Sequence, residues 1–296
     1  MLNLEPPYKF IVCVNYSMYK FRVFCPFATS TKCKEIYEMI CCANELEFYG
    51  RNKSVVITAE DDYTHAILIN TIMPKLKIPK KNVIGLAFEP IQFLRLTNTF
   101  VKYAQQYIGK YYIGDKHNLP EPFTERFGYM WYSRPPMEIT YKPNLMSIVV
   151  SEHQITSGHI YRHELVKQII SQNLPIDIFG RGSNKYSYSR IKGGFNNVEP
   201  YESYLFSVCI ENLQCNHYFS EKIVTPIMHN CMPVYLGCKN IDQYFDNMII
   251  LSGNIDNDIL LLTEIIKNPQ RYYKNTYNQK NIKTVNLLEN VVDLYS

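Results

Sequence analysis

Short, strongly apolar runs recur at 8–14, 19–24, 54–58, 82–88, 107–113, 145–150, 175–179, 205–210, 232–236 and 247–251. Their length suits strands, and many of the intervening stretches carry apolar residues at helical spacing. This alternation predicts an α/β protein with mostly parallel sheets. The main break is YSRPPMEITYKP, residues 132–143, which holds three of the 16 prolines. Proline restricts itself and the residue before it, so an extended connector is expected here, dividing a domain at 1–140 from one at 141–296. After it, NLMSIVVS reads as a buried strand and HIYRHELVKQIISQ as a helix, with Ile160, Leu165, Ile169 and Ile170 forming an apolar stripe. In the first half, IQFLRLTNTFVKYAQQ reads as a helix behind the run NVIGLAF. Residues 270–296 read as helical and rich in Asn, Lys and Tyr.

The pattern is most specific over 205–237, LFSVCIENLQCNHYFSEKIVTPIMHNCMPVYLG, which reads as strand, polar loop, helix, strand. Glu211 and Asn212 end the first run. Ser220 stands where an N-cap belongs, Glu221 and Lys222 open the helix, and MPVYLG is a strand with a glycine stop. Pro226 inside the helix predicts a kink. In open α/β sheets ligands bind beyond the carboxyl ends of strands, and a helix N-terminus carrying a lysine suits phosphate.

Composition fits this reading. The 296 residues are 46% hydrophobic and 20% charged, ordinary for globular domains. The net charge of +4 arises from 31 basic and 27 acidic residues without a run of five like charges or an RNP-like aromatic motif. That favours a small anionic ligand over nucleic acid. No apolar run reaches the 18 residues of a membrane helix, and FIVCV is short and follows Glu5 and two prolines, so a soluble, untargeted, cytoplasmic chain is expected. Nine cysteines, including the pair Cys41-Cys42, form no CxxC, which reads as free thiols in a reducing compartment. The sequons at Asn15 and Asn52 matter only in a secreted chain.

Other motifs admit plain readings. Asp256-Asn-Asp258 matches the DxD pattern that holds a divalent metal on a nucleotide diphosphate, but it precedes ILLLTEIIK, where such residues cap helices. His159 and His163 share a helix face but lack the Glu of HExxH and a third ligand nearby in the sequence. Gly180-Arg-Gly182-Ser183 follows a strand and marks a tight turn. Arg162, early in its helix, can clamp a diphosphate or simply be solvated. Glu89 ends NVIGLAF before Pro90, which puts a carboxylate at a strand tip facing the other domain, or in a capping role for the following helix.

Taken together, these residues resemble the α-1,3/1,4-fucosyltransferases, glycosyltransferase family 10. The likeness rests on Ile210-Glu211-Asn212, the spacer LQCNH, Tyr218-Phe219-Ser220-Glu221-Lys222 and Met232-Pro233-Val234-Tyr235-Leu236-Gly237. Phe88-Glu89, SIVVSEH with Tyr161-Arg162, and Ile176-Asp-Ile-Phe-Gly180 add weaker matches in the same order, so the resemblance spans about 80–250. Ile210 and Ser220 replace the usual Phe and Thr, and LAFEP surrounds Glu89 where many members have Asn-Phe-Glu-Ser. The lack of an anchor and the high Asn, Lys, Ile and Tyr usage resemble soluble bacterial or viral members, including proteins of a host cytoplasm.

The resemblance implies a GT-B architecture of two Rossmann-like domains facing across a cleft, an N-terminal one for acceptor and base and a C-terminal one for GDP-fucose. It implies that Arg162 and Lys222 bind the donor diphosphate, Glu221 the ribose hydroxyls, and Glu211, Asn212 and Tyr218 the rest of the donor pocket. Glu89 would be the general base of an inverting transfer to a glycan hydroxyl, with no required cofactor and manganese or magnesium as at most a stimulant. Another nucleotide sugar, or an inactive nucleotide- or glycan-binding relative, are the alternatives. Acceptor recognition is expected on loops 25–34 and 111–126, rich in aromatic and polar residues.

Overall fold

The computed structural model describes residues 19–42, 55–128, 141–196, 198–274 and 286–296. The expected strand at 8–14, both sequons and most of the proline-rich connector lie outside the described residues. The first sheet comprises β1 (Tyr19–Phe24), β2 (Val55–Ile57), β3 (His65–Ile69), β4 (Val83–Leu86), β5 (Lys110–Ile113) and β6 (Phe123–Glu125). Its order is β2-β1-β3-β4-β5-β6, parallel throughout. The second comprises β7 (Asn144–Val149), β8 (Asp177–Phe179), β9 (Ile191–Gly193), β10 (Tyr204–Ile210), β11 (Met232–Leu236) and β12 (Ile249–Ile250). Its order is β12-β11-β10-β7-β8-β9, again parallel.

The α/β class follows from the runs, yet three strands escape them. β3 sits between β1 and β4, and four of its five residues are buried, so it shows no alternation and only a brief run, HAILI. β6 and β9 are three-residue edge strands, too short to leave a pattern.

The helices are α1 (Ser30–Cys42), α2 (Ile91–Leu94), α3 (Asn98–Tyr107), α4 (Ser157–Ser171), α5 (Glu199–Glu202), α6 (Glu221–Met228), α7 (Ile255–Lys267), α8 (Pro269–Tyr272) and α9 (Leu287–Asn290). The single helix expected over IQFLRLTNTFVKYAQQ is two. Arg95 turns left-handed at φ 51°, and Thr97 then caps α3 by accepting from the Phe100 amide at 3.1 Å. The stripe expected on α4 also needs correction: Ile160 is 45% exposed, while His159, Arg162, His163, Leu165, Val166 and Ile169 are buried. The N-terminal half of α4 reaches past the sheet to its strand ends, where polar groups replace the apolar face.

One apolar core runs from Phe21, Ile67 and Leu86 of the first sheet through Phe88 and Phe127 to Phe219, Ile223 and Tyr235 of the second unit. Burying such a side chain contributes roughly 1.5–3 kcal/mol. The last residues join this core through Leu287, Val291 and Leu294. Tyr112 donates to the Leu294 carbonyl at 2.6 Å, and Tyr295 to that of Ala66 at 2.7 Å. The end of the 141–296 segment therefore packs back on the first sheet.

Candidate functional site

In the second sheet the strand order reverses between β7 and β10, so their crossovers leave to opposite faces and open a crevice beyond their carboxyl ends. A cleft of about 580 Å³ lies there, walled by Val150 and Ser151 after β7, Cys209 and Ile210 of β10, and Arg162, Glu221 and Lys222.

Glycines bring the elements close. A Cβ on Gly158 would sit 1.9 Å from the Glu211 carbonyl oxygen, and the Gly158 amide donates to the Asn212 carbonyl at 3.1 Å. The first turn of α4 is thereby pressed on the tip of β10, and Arg162 follows one turn later. Gly180, with φ 94°, leaves no room for a Cβ beside the Val150 carbonyl at 2.3 Å, so the expected glycine turn docks on the end of β7. Gly237 makes space for Glu211, whose Cγ would lie 2.4 Å from an added Cβ.

Arg162 is 5% exposed. Its Nη2 donates to the Ile210 carbonyl at 2.7 Å and to Asn212 Oδ1 at 3.4 Å, while its Nε is buried without a partner. Burial pulls its pKa below the usual arginine value against the pull of Glu211. A buried guanidinium held by one edge is a preorganised cation with donor capacity to spare.

Glu211, 1% exposed, stands behind the cleft wall. Its Oε1 accepts from the Ser220 amide at 2.9 Å and its Oε2 from Ser220 Oγ at 2.7 Å. Burial raises its pKa above the ordinary carboxylate value, with Lys222 opposing. Ser220 caps α6 as its spacing predicts, its Oγ accepting from the Lys222 amide at 3.4 Å. Lys222 Nζ lies 3.7 Å from Glu211 Oε2 and 2.9 Å from Glu221 Oε1. Burial alone would lower the ammonium's pKa, but Glu221 and Glu211 hold it above its ordinary value. Partial desolvation in the cleft would raise Glu221, yet Lys222 draws it below its ordinary value. Tyr218 is buried, and burial with Glu211 and Glu89 nearby keeps its phenol protonated.

Glu89 follows β4 and is half-buried. Burial raises its pKa, Lys222 lowers it and Glu221 raises it, so this first-sheet carboxylate stands in the field of the second-sheet pair. The capping alternative is not seen, since α2 starts at Pro90 without a side-chain cap. Of the expected residues, Arg162, Glu221 and Lys222 line the crevice, Asn212 and Glu211 adjoin Arg162 and Lys222 without lining it, and Tyr218 and Glu89 lie in the electrostatic field of this group.

Tyr201 and Phe195 also line the cleft and were not singled out in the sequence, while Arg181 lines it from the expected glycine turn. Tyr201 is placed by α5, which Lys142 grips through the Tyr201 carbonyl at 2.9 Å and Ser147 through the Pro200 carbonyl at 2.6 Å. These contacts come from three separate segments, so no spacing announces them.

The DxD pattern is structural at Asp258. That carboxylate is 1% exposed and accepts from the Ser252 amide at 2.7 Å, Ser252 Oγ at 2.8 Å, the Gly253 amide at 2.9 Å and the Tyr161 hydroxyl. The cap of α7 is instead Asn254, accepting from the Asn257 amide at 3.1 Å. His163 is occupied on both ring nitrogens by Tyr186 and the Ser151 carbonyl, and His159 Nδ1 meets Thr156 Oγ1 at 2.8 Å. Burial, then Arg162, holds His159 down at about 4.

Residues 139–256 match the family model described as glycosyltransferase family 10 (fucosyltransferase) C-term. Residues 139–256 are a glycosyltransferase family 10 C-terminal domain. The whole chain superposes on a crystal structure of α1,3-fucosyltransferase with GDP at a TM-score of 0.54, with 13% identity over 93% of this chain and 90% of that one. The same enzyme type with GDP-fucose gives 0.51, with 13% identity over 90% and 88%. A DNA-modifying β-glucosyltransferase, studied with and without uridine diphosphoglucose, gives 0.50 at 12% identity over 93% and 99%. At these identities the likeness concerns the fold, which is GT-B. Among curated proteins, none matches this sequence.

Proposed function

We propose that the whole chain is a family 10 enzyme that transfers fucose from GDP-fucose to a glycan hydroxyl, forming an α-1,3-type linkage with inversion. The observation carrying this reading is that Glu89 of the first sheet stands in the electrostatic field of Lys222 and Glu221 of the second. The donor diphosphate takes its charge partners from Arg162 and Lys222, and the ribose hydroxyls hydrogen-bond to Glu221. Asn212 and Tyr218 complete the pocket, while Glu211 supports Ser220 and Lys222 from behind. The sugar passes through an oxocarbenium-like state as GDP leaves. The fixed cations stabilise the departing charge without needing to reorganise, and take the role a metal has elsewhere, leaving a divalent ion at most stimulatory. Glu89 removes the acceptor proton; a positioned general base is typically worth roughly 10²–10⁴ in rate. Among the described residues no helix is long and apolar enough to cross a membrane, and we place the reaction in the cytoplasm.

The residues that hold a diphosphate and ribose do not read the hexose, and the fold is shared with an enzyme studied with uridine diphosphoglucose. A panel of nucleotide sugars, with and without EDTA, tests both points. GDP-fucose turnover insensitive to EDTA is the expected result. Preference for another donor would move the specificity, and GDP binding without turnover of any donor would leave a binding protein. Glu89→Gln should keep GDP affinity and lose most transfer; unchanged turnover would remove Glu89 from the chemistry.

A further inference from the structure

The spacer LQCNH, residues 213–217, separates the two halves of the donor site yet offers no side chain to the cleft. It is clasped instead between the two sheets. From the first sheet, Asp115 Oδ2 accepts from the Asn216 amide at 3.3 Å, and Gly114 is so close that a Cβ would lie 2.9 Å from the Asn216 carbonyl oxygen. Glu125 Oε1, at the tip of β6, lies 3.4 Å from His217 Nε2, while its Oε2 accepts from the Lys116 amide at 3.2 Å. From the second unit, Asn240 Oδ1 accepts from the His217 amide at 2.7 Å, and the Tyr244 hydroxyl meets His217 Nδ1. Beneath them the rings of Phe127 and Phe219 pack at 5.1 Å and Tyr244 lies 5.0 Å from each.

His217 adopts φ 55°. A non-glycine residue in the left-handed region persists where its surroundings over-determine it, and such strain gathers at functional segments. One residue later the chain enters Tyr218, and soon after Ser220, Glu221 and Lys222.

We infer that His217 is a positioning residue, which with Glu125 latches the donor loop to the first sheet and so sets where Glu89 stands relative to Lys222. The latch rests on the proposed transfer for its effect on rate, but not for its existence. The donor pocket is built almost wholly from second-sheet residues, so breaking the latch leaves GDP its contacts. The alignment of base and donor is what suffers, and misplacement by about 1 Å can cost on the order of 10²-fold in rate.

The test uses the full chain with Glu125→Ala, His217→Asn and the double variant. Asparagine tolerates the left-handed backbone but falls short of Glu125, so it separates side chain from backbone. The expected result is a kcat lowered by roughly 10- to 100-fold with GDP affinity by calorimetry unchanged. The double variant should lose no more than His217→Asn alone, because that substitution already removes the contact with Glu125. Amide exchange at 213–218 should quicken in both single variants. Unaltered exchange there overturns the latch, as do losses that add in the double variant or GDP affinity falling in step with kcat. A wild-type chain that turns over no nucleotide sugar would defeat the transferase reading instead, and the exchange of Glu125→Ala would still decide the latch.

Discussion

Replacing Lys222 with methionine keeps most of the side chain's bulk and removes the ammonium 3.7 Å from Glu211 Oε2. At an effective dielectric near 20, a pair at that distance is worth about 4 kcal/mol. The buried carboxylate need not bear that loss in full. It retains both hydrogen bonds from Ser220, and it can take up a proton, at a cost of about 1.4 kcal/mol for each unit by which the pH exceeds its folded pKa. Burial already raises that pKa, and losing the ammonium raises it further. The folded carboxyl then holds its proton where the unfolded chain has released it, so stability falls as pH rises from the unfolded value through the folded one. The variant should lose little near pH 5 and about 2–3 kcal/mol near pH 8. Urea midpoints across that range provide the assay. Adding Glu211→Gln should recover most of the loss, since the uncompensated charge is then gone. Parallel pH curves for wild type and Lys222→Met would show that Lys222 does not hold the Glu211 carboxylate ionised.

Gly158→Ala sets a methyl against the Glu211 carbonyl, backbone that cannot yield. It should destabilise by about 1–3 kcal/mol and weaken GDP binding as α4 carries Arg162 away, which melting curves and calorimetry would show. Asp258→Asn should cost about 1–3 kcal/mol through the loop acceptors it loses and leave the EDTA response of turnover unaltered; a changed response would restore the metal reading of the DxD pattern. The rate of transfer should rise with pH through the ionisation of Glu89, and because burial raises that pKa the acidic limb should lie above the ordinary carboxylate range. Glu89→Gln should abolish that limb along with most activity.

The second-sheet half of the site was legible because its residues are close in sequence. Glu211, Ser220, Glu221 and Lys222 span a single strand–loop–helix unit, and a parallel sheet fixes where such a unit opens. Of the first-sheet half, Glu89 alone was singled out. Each parallel strand ends in a separate loop, so Glu89, Asp115 and Glu125 come to the second unit singly and with no shared spacing. β3 hid for a related reason, as a strand buried on both faces lacks the alternation that betrays a half-exposed one.

The same contrast sorts the residues within 205–237. Spacing located the motif, but exposure separates its members by task. Glu221 and Lys222 line the cleft, whereas Glu211 is 1% exposed and spends both carboxylate oxygens on Ser220. Gly237 contributes the space that Glu211 and the Tyr235 ring occupy. A substitution at Glu211 should therefore act on binding through the placement of Lys222 and register in stability as well. One at Glu221 should register in donor binding with little effect on folding, because its side chain is 55% exposed. Sequence patterns treat such positions alike. Burial and hydrogen-bond partners are what divide the residues that touch a ligand from those that hold them in place.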